Sequence, residues 1–462
     1  MDNYLILNED YVIRGVFKKF NLINYKTGEM YDISSREVLN NLENINGTRT
    51  LKDMANLLGE NEENLKELYS DFISEDIIKL SKIPLVKEYN IPVYISKKEN
   101  ILEEVHLDLT QKCNLRCLHC FWGENLNNKK DELSINDWKN IIEELSNYGV
   151  SKITLSGGEV TLKNNFNEIV EEIIKKKIYL GAIFSNGINW NNSFEKSLNH
   201  IIKNKVNTRF YISLDGSTKK EHETIRGENT YLQTLNFLKK LIKKRKENKV
   251  NYRIIVNSFI HKNNYNTLIN SAIFFDNLGV DRWRFTSGRI MGNLEKNETL
   301  IVEYDELMKK YVDLSEYLLK SKISMAINME NLLTTSILKE NKVYLYDENF
   351  PICDYKENAC SINPFGDIQF CTSWQSITYG NVMFENIEKI WNNENFRKMK
   401  EMKLKDINEC NNCELLKYCG GGCRQLANSI LEADQYACNK FKAYKNTIIP
   451  YFKEKKVRTI SL

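Results

Sequence analysis

Cys113-Asn-Leu-Arg-Cys117-Leu-His-Cys120 follows directly on the alternating run Val105-His-Leu-Asp-Leu-Thr110. Alternation of apolar and polar residues predicts a strand, so three thiols leave its C-terminal end within one short loop. Structural zinc and an ordinary iron-sulfur cube each take four ligands, so three thiols can wrap a cube and leave one iron open. The competing reading is a zinc loop completed by a distant His or Cys. A second motif bears on the choice. Ser156-Gly157-Gly158-Glu159 closes the next predicted strand, over 152–155, where glycines permit close backbone approach and Glu159 can neutralise a cation.

Working outward, strand-like runs recur at 105–109, 152–155, 178–184, 209–214, 252–259 and 281–285, with amphipathic helices between them. One such helix carries Ile135, Trp138, Ile141, Ile142 and Leu145 on a single face. Strand and helix alternating six times predict a parallel sheet with crossovers, and six is too few for a closed eight-fold barrel. Further polar groups fall at the predicted strand ends: Ser185-Asn186-Gly187, Ser213-Leu-Asp215-Gly216, and Arg226 in His222-Glu-Thr-Ile-Arg226-Gly227.

The chain has 462 residues, a net charge of +3 and 27% charged residues, enough for two or three domains and no demand for nucleic acid or an anionic membrane as partner. The N-terminus lacks a basic n-region, and no stretch reaches the roughly 18 apolar residues of a membrane span, so a cytoplasmic protein is expected. Eleven cysteines in a reducing compartment argue for metal or redox centres over disulfides.

Residues 1–85 read as a separate unit. Strands are predicted at 11–17, 20–25 and 30–33, then a helix opened by a capping box at Ser34 and Glu37, a second opened at Thr50 and Asp53, and a third from Glu60. Strands followed by three helices suggest a winged-helix fold. The third helix, however, carries Glu60, Glu62, Glu63, Glu67, Asp71, Glu75 and Asp76 against Lys66, which phosphates would repel. Residues 86–100 read as a linker and 301–350 as a bridge without visible chemistry. The region 351–445 holds eight more cysteines, and 446–462 reads as a tail.

CxxxCxxC with His119 before its last Cys, followed one strand later by GGE, resembles the radical S-adenosylmethionine (SAM) enzymes. That resemblance implies an α/β fold with a partial (β/α)6 barrel at 101–300. It also implies a [4Fe-4S] cluster on Cys113, Cys117 and Cys120, whose open iron the cofactor's amine and carboxylate chelate. Cofactor contacts are then expected from His119, Gly157, Gly158, Glu159, Ser185, Asn186, Ser213, Asp215 and Arg226, with the Ser213 hydroxyl and Asp215 carboxylate on the ribose. The tail cysteines, CxxCxxxxxCxxxC at 410–423 among them, resemble the SPASM domain. This implies two auxiliary [4Fe-4S] clusters, one on Cys353, Cys360, Cys371 and Cys423, the other on Cys410, Cys413, Cys419 and Cys438. If Cys353 or Cys360 is displaced, the first auxiliary cluster keeps an open iron; a pair of zinc sites would divide the same eight thiols. Residues 1–85 resemble the PqqD-like element that binds the leader of a precursor peptide as an added strand, here beside Met30, Tyr31, Asp32 and Ile33.

Together these resemblances imply a maturase of a ribosomally made peptide, most similar to enzymes that join a Cys sulfur to a carbon, reduced by a flavodoxin or ferredoxin. Carbon-carbon crosslinking suits the same domains. A sulfatase maturase forming formylglycine would not need residues 1–85, and an iron-sensing winged-helix regulator would not carry so acidic a third helix.

Overall fold

A computed structural model describes residues 3–127, 130–353, 358–374 and 377–461. The N-terminal unit holds β1 (Tyr4–Leu7), β2 (Tyr11–Val16), β3 (Lys19–Asn24), β4 (Met30–Asp32), α1 (Arg36–Asn44), α2 (Leu51–Leu58), α3 (Glu62–Ser74), β5 (Ile78–Ser81) and β6 (Val93–Ser96). The three expected strands form the antiparallel run β2-β3-β4. The supposed linker adds β6, which pairs parallel with β2 from Ile13↔Val93 to Val16↔Ser96, so that stretch belongs to the sheet. β1 and β5 form a second ribbon that alternation did not reveal, because each has only four residues. Ser35, not Ser34, caps α1; the Ser34 hydroxyl instead donates to Asp32 and so closes β4. The capping box at Thr50 and Asp53 forms as expected. β4 is an edge strand with Met30 and Asp32 exposed, and the α3 carboxylates face solvent.

Next come β7 (Glu104–Asp108), α4 (Ile135–Tyr148), β8 (Lys152–Ser156), α5 (Phe166–Lys175), β9 (Tyr179–Ser185), α6 (Asn192–Lys203), β10 (Arg209–Ser213), α7 (Lys219–Arg226), α8 (Tyr231–Asn248), β11 (Arg253–Phe259), α9 (Leu268–Leu278), β12 (Arg282–Thr286), α10 (Tyr304–Lys320) and β13 (Ala326–Met329). All seven strands are parallel and lie side by side in chain order. Right-handed crossovers without a change of strand order put every helix on one face and leave the other face free. Val105, Leu107, Ile153, Leu155, Phe210, Ile212, Ile254, Val256, Trp283 and Phe285 are buried on the helix side. The seventh strand, β13, comes from the region read as a bridge. Its alternation, Ala-Ile-Asn-Met, is too short to stand out.

The remaining elements are β14 (Leu333–Thr334), α11 (Thr335–Glu340), β15 (Lys342–Leu345), β16 (Ala359–Ile362), β17 (Asp367–Gln369), β18 (Gly380–Asn381), α12 (Ile387–Trp391), α13 (Glu394–Glu401), α14 (Leu416–Cys419), α15 (Gln435–Glu454) and β19 (Arg458–Ser461). β16 pairs parallel with β7 and turns into β17, so the Cys-rich region extends the same sheet. Asn363 makes that turn, its Oδ1 accepting from Phe365 N and Asp367 N, while Gly366 takes the left-handed conformation. The tail is not loose: α15 runs on to Glu454, and β19 pairs with β15. Among the described residues no helix is long and apolar enough to cross a membrane.

The N-terminal unit docks at the end of the sheet opposite the three-thiol loop. Arg14, on β2, is fully buried beneath α4 and α5. Its guanidinium donates to Ser146 O at 3.0 Å, to Ser146 Oγ at 3.2 Å and to Lys176 O, and lies 4.3 Å from the Tyr94 ring centre. A cation at two helix C-termini is favoured by both helix dipoles, even though burial lowers the Arg14 pKa to about 9. Lys26 O also accepts from Asn207 N at 2.7 Å, just before β10.

Candidate metal and cofactor centre

The loop carrying Cys113, Cys117 and Cys120 sits at the C-terminal end of β7, close enough together that the thiols raise one another's pKa. Burial is the larger cause and pushes Cys117 up to about 12. A thiol so shifted is protonated and inert until a metal takes the proton's place. Donors are already aimed at the sulfurs. Cys113 Sγ receives Leu115 N at 3.5 Å and Asn186 Nδ2 at 4.0 Å, and Cys117 Sγ receives Arg226 Nη1 at 3.9 Å.

The GGE segment braces this loop. Gly158 N donates to Thr110 O at 2.6 Å and Glu159 N to Lys112 O at 2.8 Å; a Cβ at Gly157 would stand 2.4 Å from Thr110 O. The glycines thus permit close approach to the chain leading into Cys113. Glu159 is buried, and burial raises its pKa. One oxygen accepts from Thr161 N, Thr161 Oγ1 and Ser185 Oγ, the other from Asn186 N at 2.7 Å. Its carboxylate therefore ties the GGE turn to the Ser185-Asn186-Gly187 loop.

Asp215 does not stand where a ribose could reach it. It is wholly buried, accepts from Arg226 Nε at 2.6 Å and Nη2 at 3.2 Å, and accepts from Phe259 N at 2.8 Å. Burial alone would raise its pKa, but Arg226, with buried His119 and His222 nearby, brings it well below the ordinary carboxylate range. Arg226 is likewise held against Asp215, with its Nη1 3.9 Å from Cys117 Sγ. In sequence a strand-end Asp and a basic residue 11 positions on read as two separate contacts; α7 folds them into one buried pair. Ser213 remains half-buried on the helix-free face. His119 stacks on Phe259 with ring centres 4.6 Å apart, and burial lowers its pKa to about 3, so it is neutral.

In the tail, Cys410, Cys413, Cys419 and Cys438 stand together: Cys410 feels Cys438 and Cys413, and Cys419 feels Cys410 and Cys438. Burial is again the main cause, raising Cys410 to about 11 and Cys419 to about 12. Asp434 links the two tail sets, since Oδ2 accepts from Cys423 N while Oδ1 caps α15, which carries Cys438. Cys360 lies on a strand of the extended sheet. It pairs with Val105 in β16, shares that residue's helix-covered face, is fully buried, and lies near enough to Tyr148 to help raise that phenol. Cys353 and Cys371 are partly buried against that core.

Residues 107–264 match the Radical SAM superfamily, and residues 353–414 match the SPASM iron-sulfur cluster-binding domain. The chain carries both domains. They imply S-adenosylmethionine and iron-sulfur clusters as cofactors. Among curated proteins, the sporulation killing factor maturation protein SkfB of Bacillus subtilis (strain 168) is 30% identical over 160 residues, 34% of this chain and 36% of that protein. This match thus spans about a third of SkfB. The radical SAM cyclopropyl synthase TigE of Paramaledivibacter caminithermalis is 23% identical over 74% of this chain and 72% of its own. Among solved structures, Streptococcus suis SuiB bound to its precursor peptide SuiA superposes with a TM-score of 0.64 at 17% identity, covering 94% of this chain and 99% of that one. That likeness shows the shared fold.

The radical SAM domain fits a cluster at its first loop: three gathered thiols, Cys117 buried and the other two partly so, with N–H groups directed at two of the sulfurs. Sequence reading missed the residues that hold the loop from the far side. Asn293 Nδ2 donates to Cys117 O at 2.9 Å and Asn293 N to Cys120 O at 3.0 Å, from the segment after β12. Glu132 accepts from Thr110 Oγ1 and Gln111 N, both at 2.8 Å. Lone Asn and Glu residues in loops carry no spacing signal. Phe121, Trp122, Met291, Asn293, Ser373 and Gln425 line a cleft of about 390 Å³ between the cluster loop and the SPASM domain.

Proposed function

We propose that the protein is a radical SAM maturase that forms thioether bonds in a ribosomally made peptide, joining a Cys sulfur to a carbon of another residue. The observation that carries the radical reading is the three-thiol loop at the end of β7, its sulfurs met by Arg226 and Asn186. When bound there, the cluster and S-adenosylmethionine would supply a one-electron cleavage that removes hydrogen from an unactivated carbon.

This chain's own residues do the rest. Cys113, Cys117 and Cys120 would hold the cluster and leave one iron for the cofactor. His119, stacked on Phe259, and half-buried Ser213 border the place where the cofactor would lie, and Gly157, Gly158, Glu159, Ser185 and Asn186 fix the loops around it. Cys353, Cys360, Cys371 and Cys423 would hold the first auxiliary cluster; if Cys360 stays in its buried strand position, that cluster is one thiolate short of four. In that case a substrate thiolate would complete the open iron, as sulfur-to-carbon bonding requires. Cys410, Cys413, Cys419 and Cys438 would hold the second and carry the surplus electron away, while a flavodoxin or ferredoxin would reduce the first-loop cluster.

The peptide partner is supported by the maturation protein SkfB among the relatives and by SuiB, whose structure holds a precursor peptide. The N-terminal unit would take the leader as an added strand on β4, beside Met30, Tyr31, Asp32 and Ile33, since that edge is unpaired and flanked by α3. Carbon-carbon bond formation is the second reading, favoured by the likeness to the cyclopropyl synthase TigE. Anaerobic reconstitution with a Cys-containing precursor peptide separates the readings. Thioether formation predicts a loss of about two mass units and a product that iodoacetamide no longer alkylates. The same mass loss with the thiol still alkylated supports carbon-carbon bonding, and an unchanged peptide defeats both.

A further inference from the structure

Four arginines stand on the helix-free face of the sheet without an acidic partner. Arg209 opens β10, Arg253 opens β11, and Arg282 and Arg284 lie on β12. The register sets Arg209 beside Arg253, Arg282 beside Ile255 and Arg284 beside Asn257, which is itself beside Ser213. Side chains alternate along a strand, so all four share the face of Tyr211, Ser213, Asn257 and Phe259. That is the face on which His119 lies, stacked on Phe259.

Arg253, Arg282 and Arg284 are exposed and Arg209 is half-buried. None of the four is ion-paired among the described residues, whereas Arg226 and Arg245 are held by Asp215 and Asp281. The carboxylates of the same face stand on β7, across β8 and β9, and are engaged: Glu104 by Lys152 and Thr154, Asp108 by Ser156. Like charges directly opposite one another weaken a strand pair, and Arg209 and Arg253 are directly opposite. An anion laid across them relieves that repulsion, and a guanidinium fork binds carboxylates in a bidentate manner.

Position adds direction. Arg209 lies two residues after Asn207, which bonds the N-terminal unit through Lys26 O. From Arg253 the column rises to the level of Asn257, about 13 Å along the strands, ending one alternation below Phe259 and His119. The basic column therefore runs from the docked N-terminal unit toward the cluster loop.

Building on the peptide-maturase reading, we propose that this face binds an acidic stretch of the substrate peptide. Its carboxylates lie along Arg209, Arg253, Arg282 and Arg284, and the residue to be modified is held at the level of Ser213 and Asn257. The ligand class is thus an anionic peptide rich in Asp or Glu around its modified residues.

The test uses reconstituted, cofactor-loaded protein and fluorescein-labelled dodecapeptides that share their apolar residues and alternate these with Asp, Asn or Lys, read by fluorescence anisotropy. The Asp peptide is expected to bind more tightly than the Asn peptide, with a preference that fades at high salt. The Arg282→Gln/Arg284→Gln double variant is expected to lose about tenfold of that preference, the scale of a lost charge-assisted hydrogen bond. Lys243→Gln/Lys246→Gln, on the outer surface of α8, should keep it. Unchanged melting temperature and iron content show that the double variant is folded, and Arg253→Gln offers an independent variant at the far end of the column. Equal binding of Asp and Asn peptides, or a preference that survives the double variant, overturns the inference while leaving the maturase reading in place. Binding of none of the peptides also overturns the inference; the maturase reading falls only if the leader-bearing precursor is left unchanged as well.

Discussion

The thiols of the radical SAM loop and those of the SPASM tail are held by different kinds of neighbours. Around Cys113, Cys117 and Cys120 the supporting groups come from far along the chain: Asn186 after β9, Arg226 on α7, Asn293 after β12. Around Cys410, Cys413, Cys419 and Cys438 the bonds are local, as in Cys413 N to Cys410 O, Leu416 N to Cys413 O and Cys438 N to Asp434 O. Arg424 closes the same loop on Ile430 O and Glu432 O. The first loop is shaped by a sheet that folds without metal. If the tail thiols hold a cluster as proposed, the tail, with its short elements and small core, is expected to need metal to close it, because metal binding there is folding free energy.

Variants can break this contrast at several points. The largest effect is expected at Cys117→Ala, which should abolish formation of 5′-deoxyadenosine while leaving the sheet's thermal transition in place. Cys419→Ala should lower iron by about four atoms per chain and stop product formation, yet keep cofactor cleavage. If Cys360 stays in its buried strand position, Cys360→Ala should leave iron content unchanged. Analysing iron and 5′-deoxyadenosine for all three variants checks the assignment.

Metal removal comes next. A chelator should release protection from hydrogen exchange across 404–438 and spare β7 to β12. Equal loss in both regions would erase the contrast.

Arg226→Gln is expected to cost about 3 kcal/mol, since it leaves Asp215 buried and unpaired. It also reverses the pH dependence. In the native protein the Asp215 pKa lies below its unfolded value, so its stabilisation is present above about pH 4 and lost as pH falls through the folded pKa. Without Arg226, burial prevails and the folded pKa rises. The variant should then be most stable below about pH 4 and weaken as pH rises, which denaturation at several pH values would show. The same change should shift cluster reduction about tenfold, roughly 59 mV by potentiometry, because a hydrogen bond to Cys117 is lost.

Arg14→Met should cost about 2 kcal/mol by leaving Ser146 O and Lys176 O without their donor, and should loosen the N-terminal unit to proteolysis. The smallest change is Thr50→Ala, about 1 kcal/mol from the lost α2 cap, measurable by denaturant unfolding.

Much of the barrel could be read directly, since long apolar strands such as 253–259 announce themselves, and CxxxCxxC and GGE place the chemistry at strand ends. Short strands could not: β1, β6, β13 and β16 have four residues each and exist through their partners. At the site, the thiols were legible by spacing, but their environment was not. Cys360 looks like any other ligand in a list of cysteines, and its fully buried strand position shows only once β16 is paired with β7. Asp215 and Arg226 look like two cofactor contacts until α7 brings them together. The arginine column is invisible in sequence because its members lie on three different strands.

The central claim is that Cys113, Cys117 and Cys120 hold an iron-sulfur cube with one iron open to S-adenosylmethionine. Electron paramagnetic resonance of the reduced, oxygen-protected protein, with and without the cofactor, tests it most directly. The account predicts a [4Fe-4S] signal that changes shape when S-adenosylmethionine is added and is missing from the variant with all three cysteines replaced by alanine. A signal indifferent to the cofactor, or zinc bound at that loop, would contradict it.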